Sequence, residues 1–123
     1  MKRVVFFLVA LFLLLSACSP SEKTGGFDIE SFSYADDYAY YKDDPGVKLS
    51  EFINNVGTKV SKTEQVVELA KNECTVVYDT IDVAHDTETG IYRISFYKEG
   101  WGGGNQDVYI NQEGITQMIV YGE

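Results

Sequence analysis

Apolar residues follow three different rhythms along the chain. Residues 4–15 are apolar without interruption. Further on, Val66, Val67, Ala70 and Cys74 recur at i, i+1, i+4 and i+8, which draws one stripe on a helix. Glu64, Glu68, Lys71 and Glu73 take the opposite side. Beyond residue 80 the period falls to two. Ile81, Val83 and His85 alternate with Thr80, Asp82, Ala84 and Asp86, and Tyr92, Ile94 and Phe96 alternate with Arg93, Ser95 and Tyr97.

The middle rhythm predicts a helix over 62–73. Ser61-Lys62-Thr63-Glu64 reads as an S-x-x-E capping box, in which Ser61 and Glu64 satisfy free N–H groups at the helix start. Lys71 lies three residues after Glu68 and supports the helix locally. The last rhythm predicts strands. Residues 86–90 (Asp-Thr-Glu-Thr-Gly) have turn chemistry, 100–104 form a glycine-rich loop, and 111–114 (Asn-Gln-Glu-Gly) make a second turn. Val108 and Ile110 precede that turn, and Ile115, Met118, Ile119, Val120 and Tyr121 follow it. Successive strands with short turns pair antiparallel. The expectation for 61–123 is therefore an α+β domain, one helix packed on a three- to four-stranded antiparallel sheet.

Residues 27–60 are harder to place. Phe27, Phe32, Tyr34, Tyr38, Tyr40 and Tyr41 are interspersed with Asp28, Glu30, Asp36, Asp37, Asp43 and Asp44, with little periodicity. This acidic aromatic arm reads either as an extended stalk or as a segment that lays its rings on the sheet. Leu49, Phe52, Ile53 and Val56 have helical spacing, but Asn54, Asn55 and Gly57 weaken it, so a short helix and an extended arm both remain open. Residues 18–26 contain no large apolar residue and read as a flexible tether.

Composition narrows the partners. The formal net charge is −9, and removing Lys2 and Arg3 with a leader would make it −11. Such a surface repels phosphate backbones and anionic headgroups, which excludes nucleic acid and requires any membrane attachment to use something other than a basic patch. Two cysteines, Cys18 and Cys74, are too few for a disulfide framework.

The leader supplies that other means. Lys2 and Arg3 precede twelve apolar residues, and Leu15-Ser16-Ala17-Cys18 follows them. Twelve residues make about 18 Å of helix, short of the roughly 30 Å hydrocarbon core, which suits a secretory signal and not a spanning helix. The tetrapeptide resembles the lipobox of bacterial lipoprotein precursors. The resemblance implies a signal peptide over 1–17 cut before Cys18, lipid on the Cys18 thiol, and Leu15, Ser16 and Ala17 as recognition residues. The protein would then sit on the extracytoplasmic face of a cell membrane or outer membrane. An ordinary signal peptide with an incidental cysteine is the competing reading.

In 61–122, Tyr92-Arg93-Ile94-Ser95-Phe96 followed by residues 108–115, with their Asn-Gln-Glu-Gly turn, resembles the PepSY domain, and the expected fold is PepSY/cystatin-like. The glycine-rich loop is similar to that of small NTF2-like immunity proteins. Both resemblances imply a non-enzymatic binding or inhibitory module that contacts an envelope protein or peptide, and neither brings a catalytic residue or cofactor.

Candidate chemistry is sparse. His85 is the only histidine, and Asp82 and Asp86 would point to the opposite face of its strand, so a Ser- or Cys-based hydrolase site lacks its parts. Cys74 and His85 are too few for zinc. Asp36, Asp37, Asp43 and Asp44 lack the spacing of a calcium loop, so no metal is expected. Gly102-Gly103-Gly104 precedes a strand rather than a helix and lacks the Lys of a phosphate loop. Trp101, set among these glycines, either anchors a partner or folds back over the sheet edge.

Overall fold

In the computed structural model, which describes residues 27–53 and 57–122, helix α2 and the strands after it stand close to where their periodicity puts them. α2 spans Thr63–Glu73. Its start is fixed by Gln65 and not by the expected Glu64: Gln65 Oε1 accepts from the Lys62 N–H (3.1 Å), the Ser61 N–H (2.8 Å) and the Ser61 hydroxyl (3.1 Å). The capping logic is intact but shifted by one residue, because the N-terminal residue of the helix is Thr63 and the reciprocal position is then Gln65. Lys71 Nζ meets Glu68 Oε1 at 3.1 Å.

Strands β3 (Thr80–His85), β4 (Tyr92–Tyr97), β5 (Gln106–Ile110) and β6 (Thr116–Tyr121) form the antiparallel meander. Two elements from the arm extend it. β1 (Ile29–Ser31) pairs parallel with β3, and β2 (Lys48–Leu49) pairs antiparallel with β6. The fold is α+β, but the sheet is mixed and six-stranded, in the order β1-β3-β4-β5-β6-β2. Three to four antiparallel strands was too few, because strands of three and two residues are too short to show a period. The residues with helical spacing near 49–56 divide differently. Leu49 ends β2, Ser50–Phe52 makes a single 3-10 turn, and Val56 lies outside the described residues.

Alternation gives the sheet two unlike faces. On the first, Val83, Ile94, Phe96, Val108, Ile110 and Ile119 bury against Val66, Val67 and Ala70 of α2. Each buried valine or isoleucine contributes about 1.5–3 kcal/mol of transfer free energy before chain entropy is charged against it. At the end of this core Gln106, fully buried, closes α2. Its Nε2 donates to the Glu73 carbonyl (2.7 Å) and its Oε1 accepts from the Thr75 N–H (2.8 Å). The β5–β6 turn requires glycine at 114, where φ is +76° and a Cβ would collide with the Thr58 backbone.

The second face is covered by the arm, which crosses from the β3 edge to the β6 edge. Of the two alternatives for 27–60, the rings lie on the sheet: Phe32, Tyr34, Tyr41, Val47 and Leu49 pack on Ile91, Tyr109, Met118 and Val120. Within the arm, α1 (Tyr34–Tyr41) is capped by Ser33, whose Oγ accepts from the Asp36 N–H at 3.3 Å. Asp36 and Asp37 sit in its first turn, favourably placed against the helix dipole. Two carboxylates pin the helix to the sheet. Asp86 Oδ2 accepts from the Tyr34 N–H (2.9 Å), and Asp37 Oδ2 accepts from both the Tyr109 hydroxyl (2.8 Å) and Arg93 Nη1 (3.0 Å).

No residue of α1 is fully buried, so these polar contacts carry a large share of its attachment. Replacing Asp37 strands the hydroxyl of the wholly buried Tyr109 and unpairs the half-buried Arg93. Asp37→Ala is expected to destabilise the protein by about 2–4 kcal/mol, as for loss of one partner of a buried charged pair. Asp43→Ala, exposed in the same arm, should stay within about 0.5 kcal/mol in the same urea titration. Equal effects at the two positions would show that the clasp does not hold the arm.

Candidate functional site

The arm does not reach the whole second face. Cross-strand register places Ala84, Arg93, Tyr109 and Met118 in one row, and this row lies under the arm. The adjacent row reads Asp82, Ser95, Asp107 and Val120. Its first three residues are polar and form the floor of an open cleft of about 570 Å³. Arg93 closes the cleft on the arm side. Tyr97, Asn105 and the 100–104 loop, with Trp101, Gly102 and Gly103, stand around the other end. The volume falls in the range common for ligand sites.

Local chemistry explains the shape of the rim. Gly100 and Gly104 have φ of +86° and +75°, a backbone turn that residues with a Cβ rarely adopt, so the glycines bring the chain round between β4 and β5. Trp101 remains 60 % exposed. It packs on one neighbour of its own loop, with Lys98 Nζ 4.9 Å from the ring centroid. It shares the lining of the cleft with Asp82, Ser95 and Tyr97 of the sheet.

The floor is electrostatically unbalanced. Asp107 is half-buried, and that burial pushes its carboxyl above the usual carboxylate range, against the opposing pull of the Ser95 hydroxyl and the Arg93 charge. Asp82 lies close enough to the Tyr97 hydroxyl to be the main reason the Tyr97 phenol is raised. The single cation of the lining, Arg93, is bonded to Asp37 and lies 4.7 Å from the Phe32 ring centroid. Each floor carboxylate thus has a neutral hydroxyl, Tyr97 or Ser95, among its neighbours.

The remaining sequence candidates do not converge. Leu15, Ser16, Ala17 and Cys18 lie outside the described residues. Cys74 is a free thiol at the Gln106 end of the sheet, where its Sγ donates to the Val76 carbonyl at 3.6 Å. His85 pairs with the row at the Ile110 end, four residues or about 13 Å away along a strand. Its ring lies 4.4 Å from that of Tyr92, and its buried Nε2 has no hydrogen-bond partner among the described residues. Of the arm carboxylates, Asp37 is committed to the clasp and Asp44 Oδ1 accepts from the Gly46 N–H at 2.8 Å. No group of three or more His, Cys, Asp or Glu among the described residues could hold a metal.

Sequence reasoning found Trp101 and its loop but missed Asp82, Ser95 and Asp107. The outward alternation of Arg93, Ser95 and Tyr97 was visible. Which residues stood opposite Ser95 was not, because register across β3, β4 and β5 depends on turn geometry.

The raised carboxyl has a consequence for stability. A carboxylate whose folded pKa lies above its unfolded value stabilises the fold only while protonated, below the unfolded pKa, and loses that contribution as pH rises through the folded pKa. Asp107 therefore stabilises the fold less at neutral pH than in acid. Asp107→Asn is expected to raise Tm at neutral pH and to leave it nearly unchanged below the ordinary carboxylate pKa of 3.8, as read by thermal melts across pH. A lower Tm at neutral pH would show that the charge is needed for folding.

What the cleft can hold is decided by these side chains alone. No protein-family model, curated protein or solved structure matches the chain.

Proposed function

We propose that this protein is a lipid-anchored, non-catalytic binding module on the extracytoplasmic face of a membrane, and that it contacts an envelope protein or peptide through the cleft beside Trp101. The observation that carries the binding reading is the indole itself: a large ring, 60 % exposed, at the rim of a polar hollow. Leaving such a ring in water forgoes its burial on folding, and buried aromatic anchors dominate many protein interfaces. Rigid strands on one side and a glycine-flanked loop on the other give the ring a fixed base with local freedom.

The address rests on the leader. Lys2 and Arg3, the twelve apolar residues and Leu15-Ser16-Ala17-Cys18 together support lipid on Cys18. Two acyl chains hold a protein stably where one gives marginal binding, and an acidic surface has no electrostatic route to an anionic bilayer. Inhibition of a secreted peptidase and immunity against a toxin are narrower forms of the same function, in which the partner is an enzyme.

Two outcomes test the two halves separately. Cys18→Ser should remove acyl mass from the protein and release it from the membrane fraction; a variant that stays membrane-bound would overturn the anchor. Trp101→Ala should weaken in-cell crosslinking of the partner while leaving unfolding stability within about 1 kcal/mol, as expected of a surface substitution. Undiminished crosslinking would remove Trp101 from the interface.

A further inference from the structure

We infer that the cleft is a receptor for a basic side chain, arginine above all, presented by the partner. This inference rests on the binding reading above and names the chemistry of what is bound. Three features point to it. First, Asp82 and Asp107 flank Ser95 on the same face of three adjacent strands. With neighbouring strands about 4.8 Å apart, the two carboxylates stand on either side of a gap that one planar cation can bridge.

Second, the lining supplies two floor carboxylates and one cation, and that cation, Arg93, is ion-paired with a third carboxylate, Asp37. Arg93 Nη1 is held 3.0 Å from Asp37 and shares its charge between that carboxylate and Asp107, while Ser95 and Tyr97 are neutral. An incoming guanidinium supplies the missing positive charge and a paired donor geometry that matches a carboxylate. Third, the rim is aromatic. Trp101 already carries the chain's own Lys98 ammonium 4.9 Å from its ring centroid, so its face accepts a cation, and Tyr97 adds a second ring to the lining. Guanidinium stacks on such rings better than a strongly hydrated ammonium does, which favours arginine over lysine.

Trp101 is the sole tryptophan of the chain, so its emission reports the cleft directly. The full-length protein is titrated with oligoarginine, oligolysine and oligoglutamate peptides of equal length, and with a chitin oligosaccharide. Saturable change in Trp101 emission is expected with oligoarginine, weaker with oligolysine and absent with oligoglutamate and the sugar. Asp82→Asn changes an exposed side chain and keeps the fold; it should weaken oligoarginine binding about tenfold, equivalent to about 1.4 kcal/mol. Asp107→Asn should do the same. Glu64→Gln and Glu113→Gln, outside the cleft, should leave the affinity unchanged. If they weaken binding as much as Asp82→Asn does, the peptide is responding to overall negative charge and the inference fails. It fails equally if the sugar alters the emission and oligoarginine does not. A partner still crosslinked through Trp101 in cells after such a failure would keep the binding module and overturn its basic ligand alone.

Discussion

Asp37 is one carboxylate shared by two sheet residues, and much of the molecule's second face follows from it. Tyr109 is wholly buried, and its hydroxyl would have no partner if α1 were elsewhere. Arg93 on the adjacent strand donates to the same oxygen. By satisfying both, Asp37 fixes where the aromatic arm stops, one register row short of Asp82, Ser95 and Asp107. It also ion-pairs Arg93, the one cation of the cleft lining, at the boundary between the covered and the open parts of the face. Cover and cleft are two results of a single hydrogen-bonded pair of partners.

The first face obeys simpler rules. A helix with one apolar stripe meets the apolar side of a meander, and the buried Gln106 amide ties the helix end to the sheet through two hydrogen bonds. The larger apolar core and the polar cleft thus lie on opposite faces of one sheet. Core packing against α2 holds the fold, while half-buried charge is tolerated on the opposite side at some expense in stability.

That division also explains what the sequence reveals and what it conceals. α2 and strands β3 to β6 are legible because each spans enough residues for its period to repeat, and their turns carry glycine at positive φ. The arm was opaque for the opposite reason: β1 and β2 span three and two residues, and α1 owes its helical state to Ser33, Asp37 and Asp86 more than to any stripe. The start of α2 was displaced by one residue because Glu64 and Gln65 are both able to fill the capping role. At the candidate site Trp101 stood out as a lone ring among glycines. The floor beneath it did not, since Asp82, Ser95 and Asp107 come from three strands whose mutual alignment no local pattern encodes.

The brevity of the two outer strands has a bearing on crowding. A sheet margin with long runs of unpaired N–H and C=O groups is a template for joining other chains, and proteins confined to a surface meet one another far more often than free ones. Here one margin offers three residues with Glu30 at their centre, and the other offers two that begin with Lys48. β1 covers Val83, Ala84 and His85 of β3, and β2 covers Met118 and Ile119 of β6, so each short strand divides the margin it joins. The same brevity that hides these strands from periodicity breaks up the long unpaired runs that β3 and β6 would otherwise present.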